Sequence, residues 1–347
     1  MEQNELYMSR CLQLAQQAEG HTAPNPMVGA VIVCDGVIIG EGYHHRCGEP
    51  HAEVNAIRSV DDQNLLMKST LYVNLEPCSH YGKTPPCAQL IIDKKIPRVV
   101  IGMGDPNPKV NGRGIQMLRE AGVEVVENVL NQQCHILNKR FVTMYTKKRP
   151  FVILKWAQTQ DGFIDACRTT SEIPPLRISN EVTKTLNHQI RSIESAILVG
   201  TNTALLDNPH LTARKWSTRN PVRMVVDKSL RVPSDYRIYD QTTPTVIFTD
   251  KMVENKTNIT FVKLDFSKAI VPQILDYLYQ ANLSSLIVEG GTQLLQAFID
   301  AHLWDEVYIE TSPEIIGSGV KAPNITMQIM ETKWYDVNKM VIGIPVL

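Results

Sequence analysis

Two hydrophobic periods alternate along this chain. Leu6, Met8, Leu12 and Leu14-Ala15 recur at roughly helical spacing and predict an opening helix. The apolar runs Gly29-Ala30-Val31-Ile32-Val33 and Val37-Ile38-Ile39-Gly40 flank Cys34-Asp35-Gly36, and Asp-Gly suits the tight turn of a β-hairpin. Residues 51–59 read as a helix whose first turn carries His51 and Glu53. A strand over 70–75 delivers Glu76-Pro77-Cys78 at its end. A helix over 88–93, a strand over 98–102, a helix running from Gly112-Arg113-Gly114 to Ala121, a stop at Gly122 and a strand over 123–126 follow. Strands alternating with helices predict a three-layer α/β unit.

The basic stretch Thr146-Lys147-Lys148-Arg149-Pro150 marks a boundary, because exposed charge and proline suit a linker. It separates a first domain, residues 1–146, from a second, residues 150–347. In the second domain strands are predicted over 151–155, 196–199, 222–226, 245–248, 285–288 and 306–310, with helices over 270–281 and 292–301. The whole chain therefore reads as α/β.

Composition narrows the class. With 347 residues, 43% of them hydrophobic and 20% charged, the chain can bury two ordinary cores and is not disordered. A net charge of −1 without a Lys/Arg block gives no electrostatic reason to expect a nucleic-acid partner. Met1-Glu2-Gln3-Asn4-Glu5 is acidic and polar, unlike a secretory leader, and no apolar run reaches the ~18 residues of a membrane span. Five of the seven cysteines (Cys11, Cys34, Cys47, Cys134 and Cys167) are scattered and read as thiols in a reducing compartment. The expectation is a cytoplasmic enzyme with a small-molecule substrate and neither nucleic-acid nor membrane partners. A homo-oligomer is left open.

The chemistry-bearing residues are His51-Ala52-Glu53 and the run Pro77-Cys78-Ser79-His80-Tyr81-Gly82-Lys83-Thr84-Pro85-Pro86-Cys87. Neutral His51 with the thiolates of Cys78 and Cys87 makes a soft S₂N donor set suited to Zn²⁺, with the fourth position open for water. A structural zinc closes its shell with a fourth protein ligand; here the fourth group is Glu53, placed to take and return protons. That combination points to hydrolytic zinc chemistry.

His51-Ala52-Glu53 followed by Pro77-Cys78 resembles the cytidine-deaminase-type zinc signature. The eight residues between Cys78 and Cys87 resemble the pyrimidine deaminase of riboflavin biosynthesis, the N-terminal half of a bifunctional deaminase-reductase. Pro24-Asn25-Pro26-Met27-Val28-Gly29 and Gly102-Met103-Gly104-Asp105-Pro106-Asn107-Pro108 match that family too. The resemblance implies a cytidine-deaminase-like first domain, with Asn25, His44 and Lys83 lining the substrate site. Without the family, a turn Asn, a surface His and a loop Lys would explain these three equally well.

The second half lacks Gly-x-Gly-x-x-Gly, so the Rossmann fingerprint is absent. It has Val288-Glu289-Gly290-Gly291-Thr292 between a strand and a helix, which by itself reads as a turn. Together with 155–162, 197–203 and 207–214 it resembles the reductase half of the same family, a domain similar to dihydrofolate reductase that uses NADPH. The resemblance assigns substrate contacts to Lys155, Arg191, Leu211, Arg214 and Glu289. It assigns cofactor contacts to Ala157, Thr203, Asp207, Gly290, Gly291 and Thr292. On periodicity alone Lys155 reads as a strand-end surface Lys and Arg191 as a solvated helix Arg. Residues 169–179 depart from the family pattern: Arg177 stands where a Trp is usual, and Pro174-Pro175 stiffens the loop.

The implied activity is deamination of 2,5-diamino-6-ribosylamino-4(3H)-pyrimidinone 5′-phosphate, then NADPH reduction of the ribosyl group to ribityl. One alternative keeps the deaminase and makes the second domain a catalytically silent binding or assembly module. Another, a nucleic-acid-editing deaminase, is opposed by the near-neutral charge. Replacing the proton carrier while keeping the metal ligands tests the zinc reading. Glu53→Gln is expected to retain stoichiometric zinc while ammonia release falls by ~10²–10⁴-fold; substantial turnover by the purified variant would contradict the role.

Overall fold

The computed structural model describes residues 3–80, 85–108, 110–217 and 219–346. It divides into two compact units, Met1–Lys148 and Arg149–Leu347.

The first unit begins with helix α1 (Gln3–Gln16), which buries Tyr7, Met8, Cys11, Leu14 and Ala15. Leu6, counted above on the apolar stripe, is instead 56% exposed, because the buried face is centred one residue further on. Strands β1 (Gly29–Cys34) and β2 (Val37–Tyr43) form the expected hairpin, with Asp35 at φ 51° and Gly36 at φ 78° making the turn. After α2 (Ala52–Arg58) and a short 3₁₀ turn come β3 (Thr70–Leu75), α3 (Cys87–Asp93), β4 (Arg98–Met103), α4 (Arg113–Glu120), β5 (Glu124–Val126), α5 (Asn131–Leu137) and α6 (Lys139–Thr146). The sheet order is β2-β1-β3-β4-β5, antiparallel up to β3 and parallel from β3 to β5. β1 and most of β3 are buried along their length, since helices cover the sheet.

Two expectations need correcting here. His51 does not lie in the first turn of α2 but is its N-cap, with extended backbone (φ −69°, ψ 163°). Cys87 lies not before α3 but at its first position, with Pro86 as N-cap. Both ligands are thus held by helix starts.

The second unit opens with β6 (Phe151–Gln158) and a short β7 (Phe163–Asp165), followed by α7 (Glu181–Ile193), β8 (Ala196–Gly200), α8 (Thr201–Asp207), β9 (Val222–Val226), β10 (Thr245–Thr249), β11 (Ile259–Lys263) and α9 (Ile270–Gln280). It continues through β12 (Ser285–Gly290), α10 (Thr292–Asp300), β13 (Glu306–Thr311), β14 (Val320–Lys321), β15 (Met327–Tyr335) and β16 (Asn338–Pro345). Nine strands form one sheet in the order β11-β10-β9-β8-β12-β6-β13-β16-β15, while β7 and β14 pair separately. The strands from β11 to β13 run parallel, and β16 and β15 close the edge antiparallel. Two apolar clusters pack against the sheet, one holding Trp156, Phe248 and Phe298, the other Phe151, Ile197 and Ile247. The carboxyl ends of β8, β12, β6 and β13 share one edge, where parallel α/β sheets bind ligands.

Candidate active sites

In the first unit β3 exits into Glu76-Pro77-Cys78. The Glu76 side chain is 3% exposed and accepts four backbone N–H bonds: from Asp105 (3.2 Å), Gly112 (2.9 Å), Gly114 (2.9 Å) and Ile115 (3.3 Å). Its own N–H donates to Met103 O at 2.9 Å. One carboxylate therefore ties the ends of β3 and β4 to the start of α4. Gly114 must be glycine, since a Cβ there would lie 2.0 Å from Pro77 O. Sequence reasoning passed over Glu76. The signal available was a carboxylate at a strand end immediately before Pro-Cys, with two glycines opening the helix it meets.

Cys78 then meets the start of α3: the Cys87 N–H donates to Cys78 Sγ at 3.3 Å and the Ala88 N–H to Cys78 O at 3.1 Å. His51 Nδ1 lies 3.6 Å from Cys78 Sγ and 3.4 Å from Cys87 Sγ. Among the described residues, these three are the group whose ligand atoms converge closely enough for one metal ion. Cys87 is buried and His51 exposed, so the trio is open on one side. Two soft thiols and an imidazole at mutual contact fit Zn²⁺.

Hydrogen bonds within the trio distribute its charge unevenly. A hydrogen bond from Cys87, and a further one with His51, bring the Cys78 thiol down to about 4. The hydrogen bond to Cys78, together with burial, raises Cys87. The bond to Cys78 also pushes His51 up to about 9. Cys78 is the member drawn towards its thiolate, and a bound metal would displace the protons favoured on His51 and Cys87. Glu53, on the first turn of α2, is 3% exposed and hydrogen-bonds the Cys87 side chain; burial raises its pKa.

His44 and Asn25 stand beside this trio. His44 is 2% exposed rather than a surface His, and its ring packs edge-on against His51 with centroids 5.5 Å apart. His44 Nδ1 is 3.1 Å from Pro50 O, and Nε2 is 3.2 Å from Asn25 Nδ2. A carbonyl can only accept, so the bonding pattern assigns the proton to Nδ1 and makes Nε2 the acceptor from Asn25. Burial lowers the His44 pKa and keeps the ring neutral. Lys83, expected at the substrate site, lies outside the described residues.

In the second unit Lys155 is 6% exposed, not a surface lysine, and burial lowers its pKa against the opposing pull of Glu289. Arg191 is not a solvated helix arginine either. Its Nε and Nη2 donate to Glu289 at 2.8 Å and 2.5 Å, with both side chains largely buried. Burial pushes Glu289 up, but the Arg191 guanidinium outweighs it and holds the carboxyl below its usual range. Glu289 is the extra residue in a β-bulge, since Val288 pairs with Leu198 and Gly290 with Val199. Bulges re-aim side chains beside sites. Arg214 is exposed and donates to Thr212 Oγ1 at 3.1 Å. Leu211 differs from expectation: its side chain is 3% exposed in the apolar cluster with Phe151 and Ile197, and its backbone is left-handed (φ 53°). Any ligand contact there comes from main chain.

Ala157, Thr203, Gly290, Gly291 and Thr292 lie at or just beyond the carboxyl ends of β6, β8 and β12, while Asp207 is the last residue of α8. A Cβ on Gly290 would lie 2.8 Å from Thr203 Oγ1, so the residue must be glycine for α8 to approach. Gly291 has φ 75° and caps α10, whose first N–H groups lack intrahelical partners. A glycine cradle at a helix N-terminus fits a dinucleotide phosphate. Thr292 Oγ1 donates to Lys321 O at 2.6 Å, and Ala157 is half-buried on β6. Asp207 is ion-paired with Arg168, which also bonds Asp165 Oδ2 at 2.7 Å and the Ile173 and Leu206 carbonyls. At the far end of the divergent stretch, Ile178 is buried and Ser179 Oγ donates to Glu310 at 2.6 Å, while Arg177 is exposed. The departing segment is thus pinned at both ends, by Arg168 and Glu310, neither of which the sequence reading singled out.

Comparison with known proteins agrees with this division. Residues 1–103 match the cytidine and deoxycytidylate deaminase zinc-binding region, and residues 150–341 match the RibD C-terminal domain. The riboflavin biosynthesis protein RibD of Aquifex aeolicus is 38% identical over 94% of this chain and 91% of its own length. That of Bacillus amyloliquefaciens is 40% identical over 92% and 87%. A Thermotoga maritima crystal structure, a diaminohydroxyphosphoribosylaminopyrimidine deaminase/5-amino-6-(5-phosphoribosylamino)uracil reductase, superposes with a TM-score of 0.89 at 38% identity, covering 99% of each chain. An Acinetobacter baumannii RibD structure gives 0.89 at 27% identity over 100% and 99%.

The Glu76 clamp has a direct consequence. Gly114→Ala is expected to displace Pro77, lowering the melting temperature and speeding zinc loss to a chelator relative to wild type; unchanged zinc retention would show that the clamp does not govern Cys78.

Proposed function

The chain belongs to the RibD family of bifunctional deaminase-reductases, and we propose that it deaminates a diaminohydroxyphosphoribosylaminopyrimidine and then reduces the resulting phosphoribosylaminouracil with NADPH. The observation that carries the first step is a buried carboxyl group, Glu53, bonded to one member of an open His-Cys-Cys trio. His51, Cys78 and Cys87 would hold Zn²⁺, which supplies Lewis-acid activation of water. Glu53 would take one proton of the attacking water and pass it to the ring nitrogen, then take the proton of the hydroxyl now on the carbon and pass it to the amine, which leaves as ammonia. Its raised pKa suits a group that must hold that proton between the two transfers. Neutral His44 fixes the amide of Asn25, which orients the base.

For the second step Gly290, Gly291 and Thr292 would hold NADPH, with Ala157, Thr203 and Asp207 alongside, and the cofactor would supply a hydride for C1′ of the ribosylamino group, giving the ribityl chain. Lys155 and Glu289 are register neighbours on β6 and β12, one step beyond the Leu154–Val288 pair, and orient the sugar end of the substrate. Arg191 is already committed to Glu289 in a two-bond pair, so its part is to hold that carboxylate. Exposed Arg214 is better placed to meet the phosphate. The silent-domain alternative is not favoured: the family model spans the second unit, and its buried Lys155, Arg191 and Glu289 form a polar group no apolar core requires.

Zinc-loaded protein is expected to release ammonia from the diaminopyrimidine ribosylamine phosphate and then to consume NADPH. Lys155→Met is expected to cut NADPH consumption by ~100-fold or more and to leave ammonia release unchanged. Ammonia release by wild type without any NADPH consumption would overturn the reductase assignment.

A further inference from the structure

α7 brings a second polar side chain to the group around Arg191. His188 precedes Arg191 by three residues on the same helix, so the two side chains are neighbours on one face. Its ring is 6% exposed. The ring lies beside the Thr212 backbone, whose carbonyl receives Arg191 Nη1 at 3.3 Å. His188 Nδ1 is buried without a hydrogen-bond partner, and in a neutral ring with its proton on Nε2 it is an acceptor. The charged groups facing the ring are Arg191, Arg214 and Glu289. Burial first, then the two guanidiniums, pull its pKa down to about 4, so the ring is neutral under ordinary conditions.

A buried acceptor with no partner costs free energy, and folded proteins rarely keep one unless something else fills it. The groups surrounding this one are those proposed to hold the reductase substrate. A sugar with several hydroxyls and a pyrimidine with ring N–H groups is a ligand rich in donors. We propose that His188 is a substrate-binding residue of the reductase half, its Nδ1 accepting a hydrogen bond from a sugar hydroxyl or ring N–H of the phosphoribosylaminouracil. The assignment rests on the reductase reading above.

Two substitutions separate binding from folding. His188→Leu removes the acceptor, while His188→Asn places an amide oxygen near the position of Nδ1. The Leu variant is expected to raise KM for the phosphoribosylaminouracil about tenfold, the effect of one lost hydrogen bond, with KM for NADPH and ammonia release unchanged. The Asn variant is expected to recover most of that loss. A Leu variant with wild-type KM would overturn the assignment. So would a loss shared equally between both substrates and not recovered by Asn, which would mark a structural role. If wild type itself fails to reduce the compound, the reductase reading falls and this assignment falls with it; normal wild-type reduction with an unaffected Leu variant removes His188 alone.

Discussion

Four backbone N–H groups end on the Glu76 carboxylate, and the geometry of the first site follows from that contact. A buried carboxylate is costly unless its lone pairs are filled. Here the donors come from the exit of β4 and the first turn of α4, whose N–H groups have no partner within the helix and whose dipole favours an anion. Filling the carboxylate therefore also caps the helix and fixes the end of β3. Cys78 leaves from that fixed point, and α3 starts where its N–H groups meet the Cys78 sulfur and carbonyl. The second thiol is thereby placed by the first. His51 arrives independently as the N-cap of α2, and the same helix carries Glu53 two residues on.

The second unit solves a related problem with an arginine and a lysine. Its parallel strands are covered on both faces, so polar chemistry is confined to their carboxyl ends. Lys155 is buried there on β6, and the bulge on β12 sets Glu289 beside it. Arg191 and Glu289 meet their burial cost as a two-bond pair. Lys155 lies outside that pair, and its burial favours the neutral amine against the pull of Glu289.

The zinc trio, Glu53 and six strands of the second unit's parallel core were legible in the sequence because each rests on local signals: residue type, spacing and period; the outer strand β11 and the helices α7 and α8 were not named. What stayed hidden depends on non-local contact. Arg191 has the periodicity of a solvated helix residue, and only the strand arriving 98 residues later makes it a buried partner. Glu76 looks like one more strand-end acid until Gly112 and Gly114 fold onto it. Leu211 matched a contact position, yet its side chain serves the core, since a motif fixes a residue's place in the chain and not which of its atoms faces the ligand. The long β15–β16 hairpin gave no clear alternation because β15 is an edge strand exposed along most of its length.

The divergent stretch between β7 and α7 can be argued further from charge. Arg168 carries one positive charge and meets two carboxylates, Asp165 and Asp207. The trio is net negative, and it sits where the resemblance expects cofactor contact. A net-negative group repels phosphate but accepts hydroxyl donors well. On the proposed cofactor site, then, the phosphates belong at Gly290-Gly291 and the start of α10, where free N–H groups and the helix dipole favour anions, and Asp207 is suited to ribose hydroxyls. The usual aromatic residue of this stretch can be dispensed with for a mechanical reason. Arg168 at one end and the Ser179–Glu310–Asn338 bonds at the other hold the loop without it, and Glu310 is fully buried between β6 and β16 neighbours, where such bonds are least exposed to competition from water.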